Sequence, residues 1–489
     1  MVKTPSGSLM IASRESRAVG QMKSRILALL ILALTAGCTV APGIGSGSNG
    51  ADAPSKLSFR PPVVVSSSQD AHEPSLEIAP DGTIYICSPR GSGRGTDLWR
   101  SMDGGATFES LGEAAAAALP PRRSTTGDSG GGDCDIGIDA SGRVYLADLW
   151  VGSASVAASG DRGQTWTGAP VSQMSGTMDR PWALGGAAGE VFVVGKDIPG
   201  TVIERSLEDV LPKSQRPAVG GVIVSRSTDG GMTFPQQVQA VGNEDRFATG
   251  SNLAAGKSNL YLYYTKGVRE DRVAHVVAIS KDRGLTWTQK VVAEQPWMRN
   301  TCAPYPTQVF PVIAADPEGG VYITWASVNP TTRRIDLFFA ASPDEGEHWS
   351  APLMITDRPG TRYFPWLVAG EKGHVGIAWY ESNRTLYPQN VTTAAERATC
   401  KWDAEEPVDW FVHYAESWNA SSPNPHFEET VAQAAPVHRG SNLDRPFAEL
   451  LQVAFDPSGR AGIAYVSDTT EAPARPMFVV QAPVEGPLS

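Results

Sequence analysis

Five copies of one short pattern, Ser-x-Asp-x-Gly-x-x-Trp/Phe, constrain this chain of 489 residues more than any other feature. They are Ser101-x-Asp103-x-Gly105-x-x-Phe108, Ser159-x-Asp161-x-Gly163-x-x-Trp166 and Ser227-x-Asp229-x-Gly231-x-x-Phe234. Ser280-x-Asp282-x-Gly284-x-x-Trp287 and Ser342-x-Asp344-x-Gly346-x-x-Trp349 complete the set. The aspartates stand 58, 68, 53 and 62 residues apart (103 to 161, 161 to 229, 229 to 282, 282 to 344). A recurrence on that scale marks a repeat architecture, in which each unit buries its apolar faces on its neighbours. Asp and Ser side chains accept hydrogen bonds from backbone N–H groups in a tight turn, and Gly supplies the positive φ. The aromatic residue then packs into the sheet as the next strand begins. Each copy is therefore predicted to be a hairpin connection with its own hydrophobic anchor. Asp103, Asp161, Asp229, Asp282 and Asp344 are read as structural rather than catalytic.

A second pattern, a turn followed by alternating apolar residues, occurs seven times. Its copies start at Asp81-Gly82, Ser141-Gly142, Gly189-Glu190, Asn259, Gly320, Gly373-His374 and Gly459-Arg460. Such alternation predicts half-buried strands. The sixth unit has a degraded box between Tyr414 and Phe427, and the seventh stops after Met477-Phe478-Val479-Val480. Phe59-Arg60-Pro61-Pro62-Val63-Val64-Val65 has the character of a fourth strand with no unit before it. Joining the two ends closes a ring and removes exposed edges. The expectation is an all-β fold over residues 57–489, a seven-bladed β-propeller of four-stranded antiparallel blades closed by an N-terminal strand. Six blades, with one unit misread, is the alternative.

The N-terminus bears on location. Lys23 and Arg25 precede the apolar run Ile26 to Leu34, too short to span a bilayer but suited to a signal-peptide core. It ends in Leu34-Thr35-Ala36-Gly37-Cys38, which resembles the lipobox of bacterial lipoproteins. That resemblance implies a signal peptide over 1–37, with Met22 a rival start to Met1. It also implies a diacylated Cys38 and a flexible tether over 38–56, rich in Gly, Ser, Ala and Pro. Thr39, in place of an Asp retention signal, favours the outer membrane by the same resemblance. Acyl chains would anchor the protein without making it integral. An ordinary secretory signal with a chance cysteine is the rival reading. The net charge of −11 is spread along the chain, and no basic stripe suits a nucleic acid.

The boxes resemble the Asp-box (BNR) repeats of the sialidase superfamily over essentially the whole mature chain. The resemblance implies a propeller. It leaves activity open, because such propellers include sialidases, other glycoside hydrolases, sorting receptors and assembly factors. In sialidases three arginines grip the substrate carboxylate, a Tyr with a Glu partner is the nucleophile, and an Asp is the acid/base. The family's first arginine opens the innermost strand of the first blade. Here the matching stretch is Ala71-His72-Glu73-Pro74-Ser75, with a Glu in its place. Phe59-Arg60-Pro61-Pro62 imitates the motif but falls on the closing outer strand.

The entrances to the innermost strands, which ring a propeller's central cup opposite the boxes, carry the candidate ligand-binding residues. They are Glu73, Asp133, Asp179, Arg180, Asp245, Arg246, Arg362, Tyr363, Asp444 and Arg445, with four arginines expected at equivalent places in blades three, four, six and seven. One reading is a polar cup for an anionic or sugar ligand; the other is a set of inter-blade clamps. Asp245 and Tyr363 are the residues a catalytic reading would use. The long connections at 111–132, 196–221, 289–308, 382–408 and 428–443 are expected on the same face, where recognition is generally built. Of the remaining four cysteines, the layout pairs Cys87 with Cys134 and Cys302 with Cys400. No metal or cofactor is expected. The functional expectation is a monomeric recognition module that binds a glycan or protein at the cup and meets the membrane only through its lipid. A glycoside hydrolase of exo-sialidase type is the alternative.

Overall fold

The computed structural model describes residues 57–67, 73–89, 96–112, 133–150, 153–171, 178–197, 221–242, 249–269, 272–296, 311–329, 332–387, 407–440, 450–469 and 474–483. Within them lie 28 strands in seven four-stranded antiparallel sheets. β1 (Val63–Val64) precedes blade 1, which is β2 (Ser75–Ile78), β3 (Ile84–Pro89), β4 (Thr96–Ser101) and β5 (Glu109–Ser110). Blade 2 is β6 (Cys134–Ile138), β7 (Val144–Trp150), β8 (Ser153–Ser159) and β9 (Thr167–Pro170). Blade 3 is β10 (Met178–Gly185), β11 (Val191–Asp197), β12 (Val222–Ser227) and β13 (Gln236–Val241). Blade 4 is β14 (Thr249–Ala255), β15 (Leu260–Arg269), β16 (Arg272–Ser280) and β17 (Thr288–Pro296). Blade 5 is β18 (Val312–Ala315), β19 (Val321–Val328), β20 (Ile335–Ser342) and β21 (Leu353–Met354). Blade 6 is β22 (Arg362–Ala369), β23 (Val375–Ser382), β24 (Asp409–Ser417) and β25 (Glu428–Arg439). β26 (Gln452–Phe455), β27 (Ala461–Ser467) and β28 (Arg475–Val480) form blade 7 with β1 outermost.

The ring is closed. Each innermost strand packs on the next, from β2 through β6, β10, β14, β18 and β22 to β26, which returns to β2. Val63 pairs with Phe478 and Val64 with Met477, while Phe59 bridges Gln481. Arg60 N and Val65 N donate to Val480 O and Pro476 O, each at 2.9 Å. The segment after residue 56 thus supplies the strand that blade 7 lacks, and seven blades, not six, make the wheel.

Middle strands are buried on both faces, so the core is seven inter-blade seams rather than one centre. A large aromatic near the start of each second strand fills most seams: Tyr85, Tyr145, Phe192, Tyr261 and Tyr322, all at 1% exposure or less. Blades 6 and 7 have Gly376 and Gly462 at that place. A Cβ at Gly376 would lie 2.6 Å from the Tyr414 hydroxyl, and one at Gly462 would lie 2.8 Å from the Phe478 ring. The aromatic has moved to the third strand, and the glycine makes room for it.

The five boxes share one hydrogen-bond pattern. In blade 1 the Ser101 hydroxyl donates to Asp103 Oδ1 (2.7 Å) and accepts from Gly105 N (2.9 Å). Asp103 also accepts from Thr107 N (2.9 Å) and from the Thr107 hydroxyl (2.6 Å). Gly105, Gly163, Gly231, Gly284 and Gly346 all have φ between 82° and 89°. The residue four past the Asp is a further member of the motif: Thr in four boxes and His348 in blade 5, whose ring lies 2.6 Å from Asp344. Blade 6 keeps a relic, in which Asn419 Oδ1 accepts from His426 N across a longer loop (2.8 Å). Cys87 and Cys134 form a disulfide between blades 1 and 2, as the layout required. Cys38, Cys302 and Cys400 lie outside the described residues.

Candidate functional site

Prolines set the register at the cup. Pro74, Pro181 and Pro365 each stand five residues before the turn that ends the inner strand, at Ala79, Gly186 and Gly370. The residues just before them, Glu73, Arg180 and Phe364, have φ of 45°, 52° and 48°. Non-glycine residues seldom occupy that region, and a following proline disfavours helical backbone further. Each such conformation costs about 1–3 kcal/mol, and it persists only where the surroundings over-determine it. Register shifts in β10, β14 and β22 mark the same level in blades 3, 4 and 6.

This register corrects one expectation. Arg180 is equivalent to Glu73 and Phe364, not to Arg362, which stands two residues earlier in its strand. The arginines share a place in the letters, whereas the backbone repeats at the proline. Asp245, Arg246, Asp444 and Arg445 lie outside the described residues, as does the side chain of Asp179.

At the hub, Arg180 of blade 3 reaches across to Glu73 of blade 1, with which it forms an ion pair. It also lies 3.5 Å from Asp133 at the entrance of blade 2. Its guanidinium sits over the Trp182 ring, 4.6 Å from the centroid. Trp182 meets Trp366 of blade 6 at 5.2 Å, so two tryptophans from blades 3 and 6 pack together beside the trio. Beside them runs a polar layer. Asp135 Oδ2 accepts from Ala183 N (2.8 Å), and Oδ1 accepts from Ser75 Oγ (2.5 Å) and Gln452 Nε2 (3.3 Å). Gln452 Oε1 in turn accepts from Leu76 N (2.7 Å). Burial pushes the Asp135 carboxyl up to about 6 against the pull of those donors and of Arg180. Glu77, further along β2, is pushed up to about 8 by burial and by the charge of Asp135.

Arg362 does a different job. Its side chain has no exposed surface and lies in the seam between blades 5 and 6. It donates to Arg358 O (2.7 Å) and Glu381 Oε1 (3.3 Å) and lies 3.5 Å from Asp336. Arg358 grips both oxygens of Glu381 at 2.9 Å, while Trp379 Nε1 donates to the same carboxylate (2.7 Å). Arg334 holds Asp336 at 2.6 Å. A cavity of about 340 Å³ opens beside this clamp, lined by Arg358, Pro359, Phe411, His413 and Val431 among others. Tyr363 is buried in the core against Phe364 and Trp410, and burial holds its phenol well above the ordinary range. That placement gives it the surroundings of a packing residue. Arg334, Asp336, Arg358 and Glu381 went unread in the sequence because no local pattern ties them together. They meet only when blade 5 packs on blade 6.

No known protein family matches the sequence, and no curated protein matches it. Solved structures do. A Hadza microbial sialidase aligns at 19% identity and a TM-score of 0.42, over 68% of this chain and 66% of its own, just under two thirds. An α-L-arabinofuranosidase of Fusarium graminearum in complex with arabinobiose aligns at 14% identity and a TM-score of 0.42, over 66% of this chain and 93% of its own. The NanB sialidase of Streptococcus pneumoniae aligns at 11% identity and a TM-score of 0.40, over 86% of this chain and 70% of its own. The likeness is one of fold.

Proposed function

We propose that this chain is an exported, lipid-anchored recognition propeller that binds a glycan at the cup around Glu73, Asp133 and Arg180. The pairing of Arg180 with two carboxylates carries the reading. An arginine so neutralised is not offered to an incoming carboxylate, and the trio leaves one net negative charge. What it does offer is the part-exposed carboxylate of Asp133, held in place by the guanidinium, as an acceptor for sugar hydroxyls. Of the rim arginines, Arg362 is consumed by the blade 5–6 clamp, which fits a scaffold better than a three-arginine grip on an anion. Asp179, Asp245, Arg246, Asp444 and Arg445 complete the rim in this proposal, and Cys38 supplies the anchor. A tethered scaffold needs position more than turnover.

One observation favours the hydrolase reading: Asp135, a hub carboxyl held near 6, titrates where a general acid would. Its three donors and its place beside the tryptophans argue for structure instead. The test is a glycan array with the mature, unlipidated chain, followed by calorimetry on the best ligand. Asp133→Asn should weaken binding by about tenfold, the scale of one lost charge-assisted hydrogen bond, without moving the melting temperature. An array without hits, alongside capture of a protein by the cup, would replace the glycan with a protein ligand. Release of 4-methylumbelliferone from its sialoside, abolished by Asp135→Asn, would restore the enzyme.

A further inference from the structure

The box face of the wheel has two features that belong together. The first is where the chain arrives. Third strands run from the cup to the boxes, so the bridge from Phe59 to Gln481, just past the end of β28, lies level with the boxes. Ala482 N donates to Ser58 O at 2.8 Å at the same level. The described chain therefore enters the wheel, from Leu57 onward, on the box face. Residues 39–56 separate it from Cys38, a length of chain that can reach at most about 60 Å.

The second feature is what the box turns expose. Met102 is 61% exposed, Met232 48%, Leu285 54% and Trp418 66%. Each sits inside or just behind a box, in blades 1, 3, 4 and 6. Trp418 lies flat on His374 at 3.6 Å and shows its other face to solvent. The other strongly exposed large apolar residues among those described are scattered: Val64, Val291 and Val431 on outermost strands, Val268 near the end of β15 and Tyr387 on a connection, both at the cup end. Four apolar tips spread around one face of a disc make no groove for a peptide. They suit a flat, extended partner, and a bilayer surface is one. The box aspartates Asp103, Asp161 and Asp229 are held near 2 by their threonine and serine donors, so the face stays acidic and favours zwitterionic over anionic lipid.

We infer that the box face is the membrane-facing side of the wheel. The four tips rest in the headgroup region, and the cup is presented away from the bilayer. This inference rests on acylation of Cys38. The full chain, expressed where it can be acylated, is reconstituted in phosphatidylcholine vesicles containing brominated phosphatidylcholine. Mass analysis of the N-terminal peptide reports the acylation separately. Brominated lipid should quench tryptophan emission, and Trp418→Phe should remove most of that quenching. Tyr387→Trp, at the cup end, should add emission that the lipid does not quench. Acylated protein whose quenching ignores Trp418→Phe, or that quenches at position 387, overturns the orientation and leaves the anchor standing. An unacylated Cys38 removes the anchor and the orientation together.

Discussion

Arg180 and Arg362 both open an innermost strand, and both precede a Pro-Trp step, by no residues and by two. That offset gives them different work. Arg180 has a strained backbone, reaches across the hub to two other blades, and keeps company with Asp133, whose side chain is 23% exposed. Arg362 reaches sideways into a seam, where the two carboxylates it faces, Asp336 and Glu381, are buried. In blade 6 that offset spans the register shift between Tyr363 and Trp366 and the left-handed Phe364, so the two arginines leave the backbone at different levels and in different directions. The lesson concerns repeat proteins generally. Equivalence must be read from the backbone device that repeats, here the proline after a left-handed residue, and not from the charged residue beside it.

Removing each guanidinium tests that difference. Arg362→Met strips a fully buried partner from Asp336 and Glu381 and should cost about 3 kcal/mol or more in urea unfolding. Arg180→Met should cost less, about 1–2 kcal/mol, because Glu73 and Asp133 both keep some exposed side-chain surface and can take water instead. It should also abolish cup binding, which Arg362→Met leaves intact if the protein stays folded. Equal costs would mean that hub and seam are one kind of site.

Titration separates the two regions by sign. At the hub, Glu77 and Asp135 have raised values, about 8 and about 6, so the native state holds protons that the unfolded chain releases near 4. Their contribution is complete below about 4 and is lost as pH rises through 6 and 8. At the seam, burial holds His413 down to about 4, so its contribution is complete above about 6.5 and is lost as pH falls towards 4. His275, held near 3 in the blade 4–5 seam, acts in the same direction. Each group can tilt stability by at most about 1.4 kcal/mol per pH unit. Glu77→Gln should flatten the alkaline limb and His413→Phe the acid limb, both measured by unfolding across pH. If His413→Phe changed the alkaline limb instead, the assignment of regions would fail.

The wheel was legible because its code is local. Ser-x-Asp-x-Gly fixes a turn within five residues, and alternation fixes a strand within six, so counting them fixes the blades. Ring closure by Val63 and Val64 followed from an unmatched strand at each end, and the Cys87–Cys134 pair followed from the blade layout. The site was legible only in part. Glu73, Asp133 and Arg180 were singled out at the entrances, but their meeting across three blades is a fact of curvature that no spacing encodes. The clamp of Arg334, Asp336, Arg358 and Glu381 is scattered over 48 positions and carries no turn chemistry to announce it.

The smallest expected effect concerns the boxes themselves, where one blade already contains the experiment. In blade 6, Asn419 stands where the other boxes have Asp, and its Oδ1 still accepts a backbone N–H from across the turn at 2.8 Å. The Ser417 hydroxyl still lies 3.2 Å from the same side chain. What an amide cannot supply is the second anionic oxygen that, in blade 3, takes the Thr233 hydroxyl at 2.6 Å. Asp229→Asn should therefore keep the backbone bonds and weaken one exposed hydroxyl contact, at a cost under about 1 kcal/mol. It should also remove part of the acid sensitivity, because the lowered Asp229 value contributes stability above about 4 that is lost as pH falls towards 2. A loss of several kcal/mol on this exchange would mean that the boxes hold the wheel through charge rather than through turn geometry, and that blade 6 is stabilised by something other than its relic box.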